Sequence, residues 1–585
     1  MQTRRKLKSG LGVTLLCLIS IVIAGCGTGN PHPATAHTKA PQNRQVFVSG
    51  IINGYTAIAT LDPALATDGS SVSPLDLIFT GLVQLDDNLH VTDQLAASHE
   101  VMPDGKTYKF TLKPGLKFSD GTPLTSQDVV YSINRALDPA TKSPTGPYYL
   151  KYIKDSDKLQ AGTIKTLIGD SLLAPDPNTV VIITDKVYTF FLDALTYPCS
   201  YVVEKSMIDK WGDHWIEHLS DNGGQGTDGP FNVSHFNRST GIDYIPNPNF
   251  YGPKPQLAKV EYPIFKDIST LYQSYQANQV EDDPQLLSTT YEQAKNRPDF
   301  YQIPLLEIYY YSMNYTKKPF DNIKIRQAFA LAINKDLIMQ RVWKNQYFAT
   351  NHIVPEGMNG YSPNLIGPAG VKGTGGDPTL AKQLLQQGMQ EEGYNSIAQL
   401  PTITLTYSDL GREAIKEEVA VMQQMWQSVL GINVKVESID TGVLIQDLGK
   451  GSANPLQLYY GTAWTADYPD PENWTTLQFG PGSANNTMSY GQNHAADAVQ
   501  QQAVQQLMEQ ADSAPAGADR MAMYNRAEQQ LANDVAWLPM AQATLSGLRK
   551  PCVQGLKYTA AGRIPPNDWG RIYISTDTPC MKATV

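Results

Sequence analysis

Hydrophobic and polar positions change period twice between residues 401 and 440. TITLTYSD alternates apolar and polar residues, as a half-buried strand does. REAIKEEVAVMQQMWQSVLG then places Ile415, Val419, Met422, Trp426 and Val429 at spacings of four and three, which is one face of a helix. INVKVESID returns to alternation. A strand, a helix and a strand of this length predict parallel pairing with a right-handed crossover. Nearer the N-terminus, an alternating apolar run from Gln45 leads through the turn-rich LDPALATDGSS into SPLDLIFTGLVQLD, whose spacing predicts a helix. YKFTL predicts a strand, and LKFSDGTPLTSQDVVYSINRAL a hairpin strand followed by a helix with Thr125 or Ser126 near its cap. Two helical stretches, about 495–512 and 518–534, precede a short apolar strand near 536–539. No repeat of fixed period runs through the chain.

The first residues follow another logic. Arg4, Arg5, Lys6 and Lys8 precede an apolar run from Leu11 to Ala24, the charge order of an export signal and short of the about 20 residues that span a bilayer comfortably. The run ends in Ile23-Ala24-Gly25-Cys26, which resembles a bacterial lipobox, so residues 1–25 are expected to be removed and the Cys26 thiol lipidated. GTGNPHPATAHTKAPQNRQ has too few large apolar residues to form a core, and residues 26–44 read as a flexible tether. No later stretch is long and apolar enough to span a membrane.

At 585 residues and 41% hydrophobic composition the chain supports two or three cores. Its net charge of −10 becomes more negative once four basic and no acidic residues leave with the signal, which argues against nucleic acid or anionic lipid as a partner. Tyr is abundant, 31 against 15 Phe, and suits a wet, tolerant cleft as well as ordinary half-buried surface. Of the five cysteines, Cys17 leaves with the signal and Cys26 carries lipid. Cys199, Cys552 and Cys580 allow one disulfide and one free thiol, and Cys552 with Cys580, in the same segment, is the favoured pair.

Five blocks together resemble one family over nearly the whole exported chain: LDPALATDGSSVSPLDLIFTGLVQLD, DGKTYKFTLKPGLKFSDGTPLTSQDVVYSINRALDP, GTDGPFNVSHFN with YIPNPNFYG, MNYTKKPFDNIKIRQAFALAINKDLI, and WTADYPDPENW. The chain is similar to the oligopeptide and dipeptide solute-binding proteins of ABC importers, often called family 5. The resemblance implies an α/β, two-lobed periplasmic-binding-protein-like fold (type II, cluster C) with mixed sheets and an extra domain inserted in lobe I. Mapped onto this sequence, lobe I takes 45–85, 225–305 and 545–585, the inserted domain 86–224 and lobe II 306–544. Ligand lies between lobes in such proteins, and the crossings near 307–309 and 541–545 are the expected hinges. The implied partners are a peptide, the transmembrane subunits of an ABC permease and the membrane reached through Cys26. A monomer without cofactor or metal is expected, outside the cytoplasm, in the periplasm or on the outer surface.

Peptide binders of the family pair the ligand's α-ammonium with an Asp in a Trp-x-x-Asp-Tyr-like segment, here Trp464-Thr465-Ala466-Asp467-Tyr468, so Asp467 inherits that role. A carboxylate accepts strongly from an ammonium, and a charge buried by closure needs such a partner. The alternative is that Asp467 caps the Pro-rich turn that follows. Tyr148, Tyr149, Trp464 and the 68–71 loop with Ser70 and Ser71 lie in segments that face the cleft in relatives, with ordinary half-buried packing as the other reading of the tyrosines. Gly461 stands where some oligopeptide binders carry Arg for the ligand carboxylate.

Other readings are weaker. His214-Trp215-Ile216-Glu217-His218 spells H-x-x-E-H, but a solvated amphipathic helix packed through Trp211 and Trp215 accounts for it. No G-x-S-x-G elbow, P-loop or paired-Cys zinc pattern occurs, so catalysis is not expected. Within the family, nickel chelates, haem, opines and sugars are alternative ligands, and a lipoprotein sensor or adhesin without an importer is a further possibility. Asp467 discriminates, since an ammonium partner has no use for a neutral sugar.

Overall fold

The computed structural model describes residues 37–52 and 58–577, and those from Thr38 onward form one compact unit. The expected export signal, Cys26, residues 26–36 of the expected tether and Cys580 lie outside the described residues. Residues 38–44 do not stand free: Ala40 is buried and its N–H donates to the Ile574 carbonyl at 2.9 Å, and Gln42–Arg44 forms a 3-10 turn, so the expected tether ends short of residue 38.

Three main sheets organise this unit. A five-stranded sheet joins Val46–Val48 and Ile51–Ile52, both parallel to Lys259–Phe265, with the antiparallel strands Gly241–Pro246 and Phe231–Asn237. A four-stranded antiparallel sheet is built from Ala96–Val101, Thr107–Leu112, Thr179–Ile183 and Leu172–Asp176. A seven-stranded mixed sheet has the order Asp282–Asp283, Leu538–Arg549, Phe300–Met313, Leu458–Thr465, Thr404–Tyr407, Lys435–Ser438, with Phe348–Ala349 also paired to Leu538–Arg549. The fold is thus α/β with mixed sheets, as expected.

The strand-helix-strand unit holds. Thr404–Tyr407 and Lys435–Ser438 are parallel neighbours joined by the helix Glu413–Leu430. Ile415, Val419, Met422 and Trp426 are buried as the spacing predicts, and Leu430 rather than Val429 closes the face. The same face also buries Glu418, which accepts from the Tyr311 hydroxyl at 2.9 Å and from the Trp343 indole N–H. Thr125 is the N-cap of Ser126–Leu137, its box closed by Asp128.

Four expectations shift. The helix in SPLDLIFTGLVQLD stops at Ile78, and Val83–Leu85 is a strand, so the apolar run crosses a turn. The hairpin strand before Thr125 is reduced to an isolated Lys117–Pro123 bridge. The short strand near 536–539 is instead the twelve-residue Leu538–Arg549, nearly all of it buried. Both its faces are covered, so its sequence carries no alternation to mark its length. The 212–218 segment is a 3-10 turn rather than an α-helix, with Trp215 buried and hydrogen-bonded to Asp62.

Phe300–Met313 and Leu538–Arg549 run side by side, but their register breaks between Pro304 and Ile308. Residues 305–307 bulge there opposite Ala543. Gln542 satisfies the freed backbone: its amide donates to the Leu305 and Glu356 carbonyls, both at 2.9 Å. The Leu306 carbonyl accepts the Ala466 N–H at 2.8 Å, which ties the bulge to the segment carrying Asp467.

Candidate functional site around Asp467

Strand Leu458–Thr465 ends beside the bulge and delivers Ala466, Asp467 and Tyr468 into a turn. That turn is the 3-10 segment Pro471–Trp474, and its cap is Asp470, whose carboxylate accepts the Glu472 N–H at 3.0 Å. Arg520 pins Asp470 from behind through two hydrogen bonds of 2.6 and 2.8 Å. Asp467 therefore does not cap the turn, and its carboxylate is left for other partners.

Those partners come from a distant stretch of chain. The Tyr149 hydroxyl donates to Asp467 Oδ2, and the Asn473 amide lies 3.5 Å away. Asn473 also accepts from the Asp467 N–H at 3.2 Å and from the Trp464 indole at 3.0 Å, so one amide fixes both sequence-predicted residues. Among the described residues no cation forms an ion pair with the Asp467 carboxylate. Burial pushes its pKa up to about 6, while the Tyr149 hydrogen bond and the charge of Arg563 pull the other way.

Aromatic rings enclose the carboxylate. Tyr149 packs edge-on to Tyr148 at 4.9 Å, lies 4.0 Å from Tyr197 and meets Tyr468 edge-on at 6.2 Å. Tyr468 is buried and its hydroxyl donates to Glu472, which also accepts from Tyr152 at 2.8 Å. Tyr148 donates to the Leu477 carbonyl at 3.1 Å. Side chains of 148–197 are thus interleaved with those of 464–485, and Tyr148, Tyr149, Trp464, Asp467 and Tyr468 share one locality.

Ser70 and Ser71 sit differently. Both belong to the first turn of helix Gly69–Ile78, capped by Asp68, and the Ser71 hydroxyl donates to Asp68 at 3.0 Å while accepting the Ala59 N–H at 3.1 Å. The 68–71 segment is a capped helix start rather than a free loop edge. Gly461 has a steric reason: a Cβ there would meet the Tyr310 ring at 2.1 Å, and Tyr310 is stacked on Trp537 at 3.8 Å. No side chain fits at this position.

His214 pairs with Glu217 at 3.2 Å and His218 with Asp221 at 2.8 Å, so the H-x-x-E-H residues turn to different partners. Among the described residues no cluster of three or more His, Cys, Asp or Glu is arranged to hold a metal. Cys199 is free and buried, and Cys552 is disulfide-bonded. Sequence reasoning missed Asn473, although it lies within the quoted WTADYPDPENW block, and missed Arg563, which no local pattern marks.

Oligopeptide-binding protein OppA of Bacillus subtilis is 26% identical over 480 residues, covering 81% of this chain and 85% of that protein. The probable deoxycholate-binding periplasmic protein YgiS of Escherichia coli is 27% identical over 92% of this chain and 95% of its own. The structure of Haemophilus influenzae OppA in complex with RPPGFSPFR superposes with a TM-score of 0.73, at 22% identity, over 91% of this chain and 99% of that one, which shows the two-lobed binding-protein fold. Residues 90–486, more than half of the sequence, match the bacterial extracellular solute-binding proteins, family 5, and the chain belongs to that family.

Proposed function

We propose that the chain is the extracytoplasmic substrate-binding component of an ABC importer and captures peptides between two closing lobes. The observation that carries this reading is the Asp467 carboxylate: enclosed by tyrosines, positioned by Asn473, and without a cationic partner among the described residues. A peptide's α-ammonium supplies the missing charge, and three N–H donors with it. The rest of the ligand is held through its backbone as an added strand, which tolerates unlike side chains. Two relatives point the same way by name, since B. subtilis OppA is an oligopeptide-binding protein and H. influenzae OppA was solved with RPPGFSPFR. An anionic steroid, the ligand in the name of YgiS, would meet a like charge at Asp467.

The lobes follow the mapping of 45–85, 225–305 and 545–585 against 306–544, with 86–224 inserted, and close about the register break at 304–308 and its neighbour at 541–545. Residues 1–25 are removed on export, Cys26 carries lipid, and the stretch from 26 to about 37 tethers the body to the membrane, where permease transmembrane subunits receive the ligand. Cys580 is the disulfide partner of Cys552. The protein acts as a monomer and catalyses nothing: its relatives are binding proteins, and His214 and His218 serve separate surface pairs.

Calorimetry with Ala-Ala-Ala and its N-acetylated form tests the reading. Binding of the free peptide with a loss of roughly a hundredfold or more on acetylation is expected. Equal binding of the two would remove Asp467 from ligand recognition.

A further inference from the structure

The turn at 559–563 reaches the Asp467 site from outside the motif. Gly562, at φ +71°, lets it close: the Gly562 N–H donates to the Thr559 carbonyl and the Thr559 N–H to the Arg563 carbonyl, both at 2.9 Å. The Ala560 carbonyl accepts the Leu306 N–H at 2.8 Å, and the Leu306 carbonyl in turn holds Ala466, so the bulge joins this turn to the segment that carries Asp467. Arg563 completes the link, its Nη2 donating to the Asp467 carbonyl at 3.3 Å. Its Nη1 stands 3.8 Å from Asp76 Oδ2, and the other Asp76 oxygen accepts the Tyr201 hydroxyl at 2.7 Å.

Where the guanidinium is attached decides what it can do. A cation bonded to the Asp467 carboxylate would occupy the place of a ligand ammonium. One bonded to the carbonyl leaves that place open, while its charge still favours the ionised form against the burial that raises the carboxyl to about 6. A guanidinium also keeps its charge at every pH a protein meets. The other titratable groups that face Asp467 are Tyr148, Tyr149, Tyr197 and Cys199, and burial raises all four, which keeps them neutral. On the turn that follows, Asp470 is held by Arg520, and Glu472 accepts from Tyr152 and Tyr468. Asp76 shares Arg563 through its other nitrogen, and burial raises that carboxyl too, with Arg563 and Tyr201 acting against it.

We propose that Arg563 is a positioning residue for ligand capture: it holds the Asp467 main chain and keeps the carboxylate charged and unblocked for an ammonium. The proposal rests on the peptide reading above and adds to it a residue from outside the motif. Arg563 also repels the ammonium, but that repulsion is the same at every pH, whereas its hold on the Asp467 charge shows only where the carboxyl titrates.

Calorimetry with Ala-Ala-Ala between pH 5 and pH 7.5 separates the two effects, on the exported protein, Arg563→Gln and Arg563→Lys. The first variant keeps an N–H donor for the carbonyl and loses the charge; the second keeps the charge. In Arg563→Gln the pH below which affinity falls should rise by on the order of one unit, read as a loss approaching tenfold at pH 5.5 that fades toward pH 7.5. Arg563→Lys should keep the midpoint of the unsubstituted protein. A loss of equal size at every pH, a midpoint unmoved in Arg563→Gln, or one that moves in Arg563→Lys overturns the assignment and leaves peptide binding standing. Absence of binding to the unsubstituted protein at every pH overturns the peptide reading as well.

Discussion

Asp467 combines three properties that rarely coincide: a pKa raised to about 6 by burial, a single hydroxyl donor, and no ion pair among the described residues. Asp467 stands out as a candidate in the sequence because its Trp-x-x-Asp-Tyr-like motif lies in one stretch, and the competing role of turn cap falls to Asp470 instead. Tyr149 is named by the family resemblance, but its hydrogen bond to Asp467 and the presence of Arg563 at the Asp467 carbonyl come only through the fold. The carboxylate pairs with an ammonium only when ionised. Affinity for Ala-Ala-Ala should therefore hold from pH 6 up to the peptide's α-amino pKa near 8 and fall below pH 6, approaching tenfold per pH unit until the lower pKa of the complex is reached. Asp467→Asn keeps the shape and can still accept from Tyr149, yet leaves the ammonium unpaired, which should cost about 3–5 kcal/mol and flatten the pH profile. A profile unchanged in the Asn variant would assign the titration to another group.

Secondary structure was most readable where one face alone is buried. The helix Glu413–Leu430 shows this, since its exposed face keeps the 3.6 period visible. Leu538–Arg549 shows the converse: sandwiched on both faces, it reads as a featureless apolar run and its length was underestimated. Glu418 was invisible for a related reason, because a buried Glu on an apolar face looks like a surface residue until Tyr311 and Trp343 are seen to satisfy it. The turn 471–474 carries an element-scale prediction. Arg520 is buried and holds Asp470 in bidentate fashion, so Arg520→Met strands a buried carboxylate and should lower unfolding free energy by about 3–5 kcal/mol. Adding Asp470→Asn should return part of that loss, because the uncompensated charge goes with it. Guanidinium unfolding of the two single variants and the double variant measures the coupling, and strict additivity would show the pair to be energetically independent.

Among the described residues, several carboxyls are buried without a paired cation, and this sets how stability responds to pH. Burial raises Asp228 and Asp283 to about 8 and Glu418 to about 7. Each folded-state pKa lies above its unfolded value near 4, so the folded protein binds more protons than the unfolded chain between the two. Stability from these groups is fully present below pH 4 and is lost as pH rises through the folded values. Between pH 5 and 7 the unfolded carboxylates are already ionised, and each protonated partner in the fold contributes a slope of at most about 1.4 kcal/mol per pH unit. Lys335, lowered by burial to about 7, opposes this trend only above pH 7, where its folded form loses its proton first. The guanidinium midpoint should accordingly fall from pH 5 to pH 7, with Asp228→Asn reducing the slope. In that variant the Thr80 N–H, which donates to Asp228 at 2.9 Å, keeps an acceptor in the Asn carbonyl. A midpoint that rises over this interval, or a slope untouched by Asp228→Asn, would mean that the buried acids are ionised in the fold and stabilised by partners other than those seen.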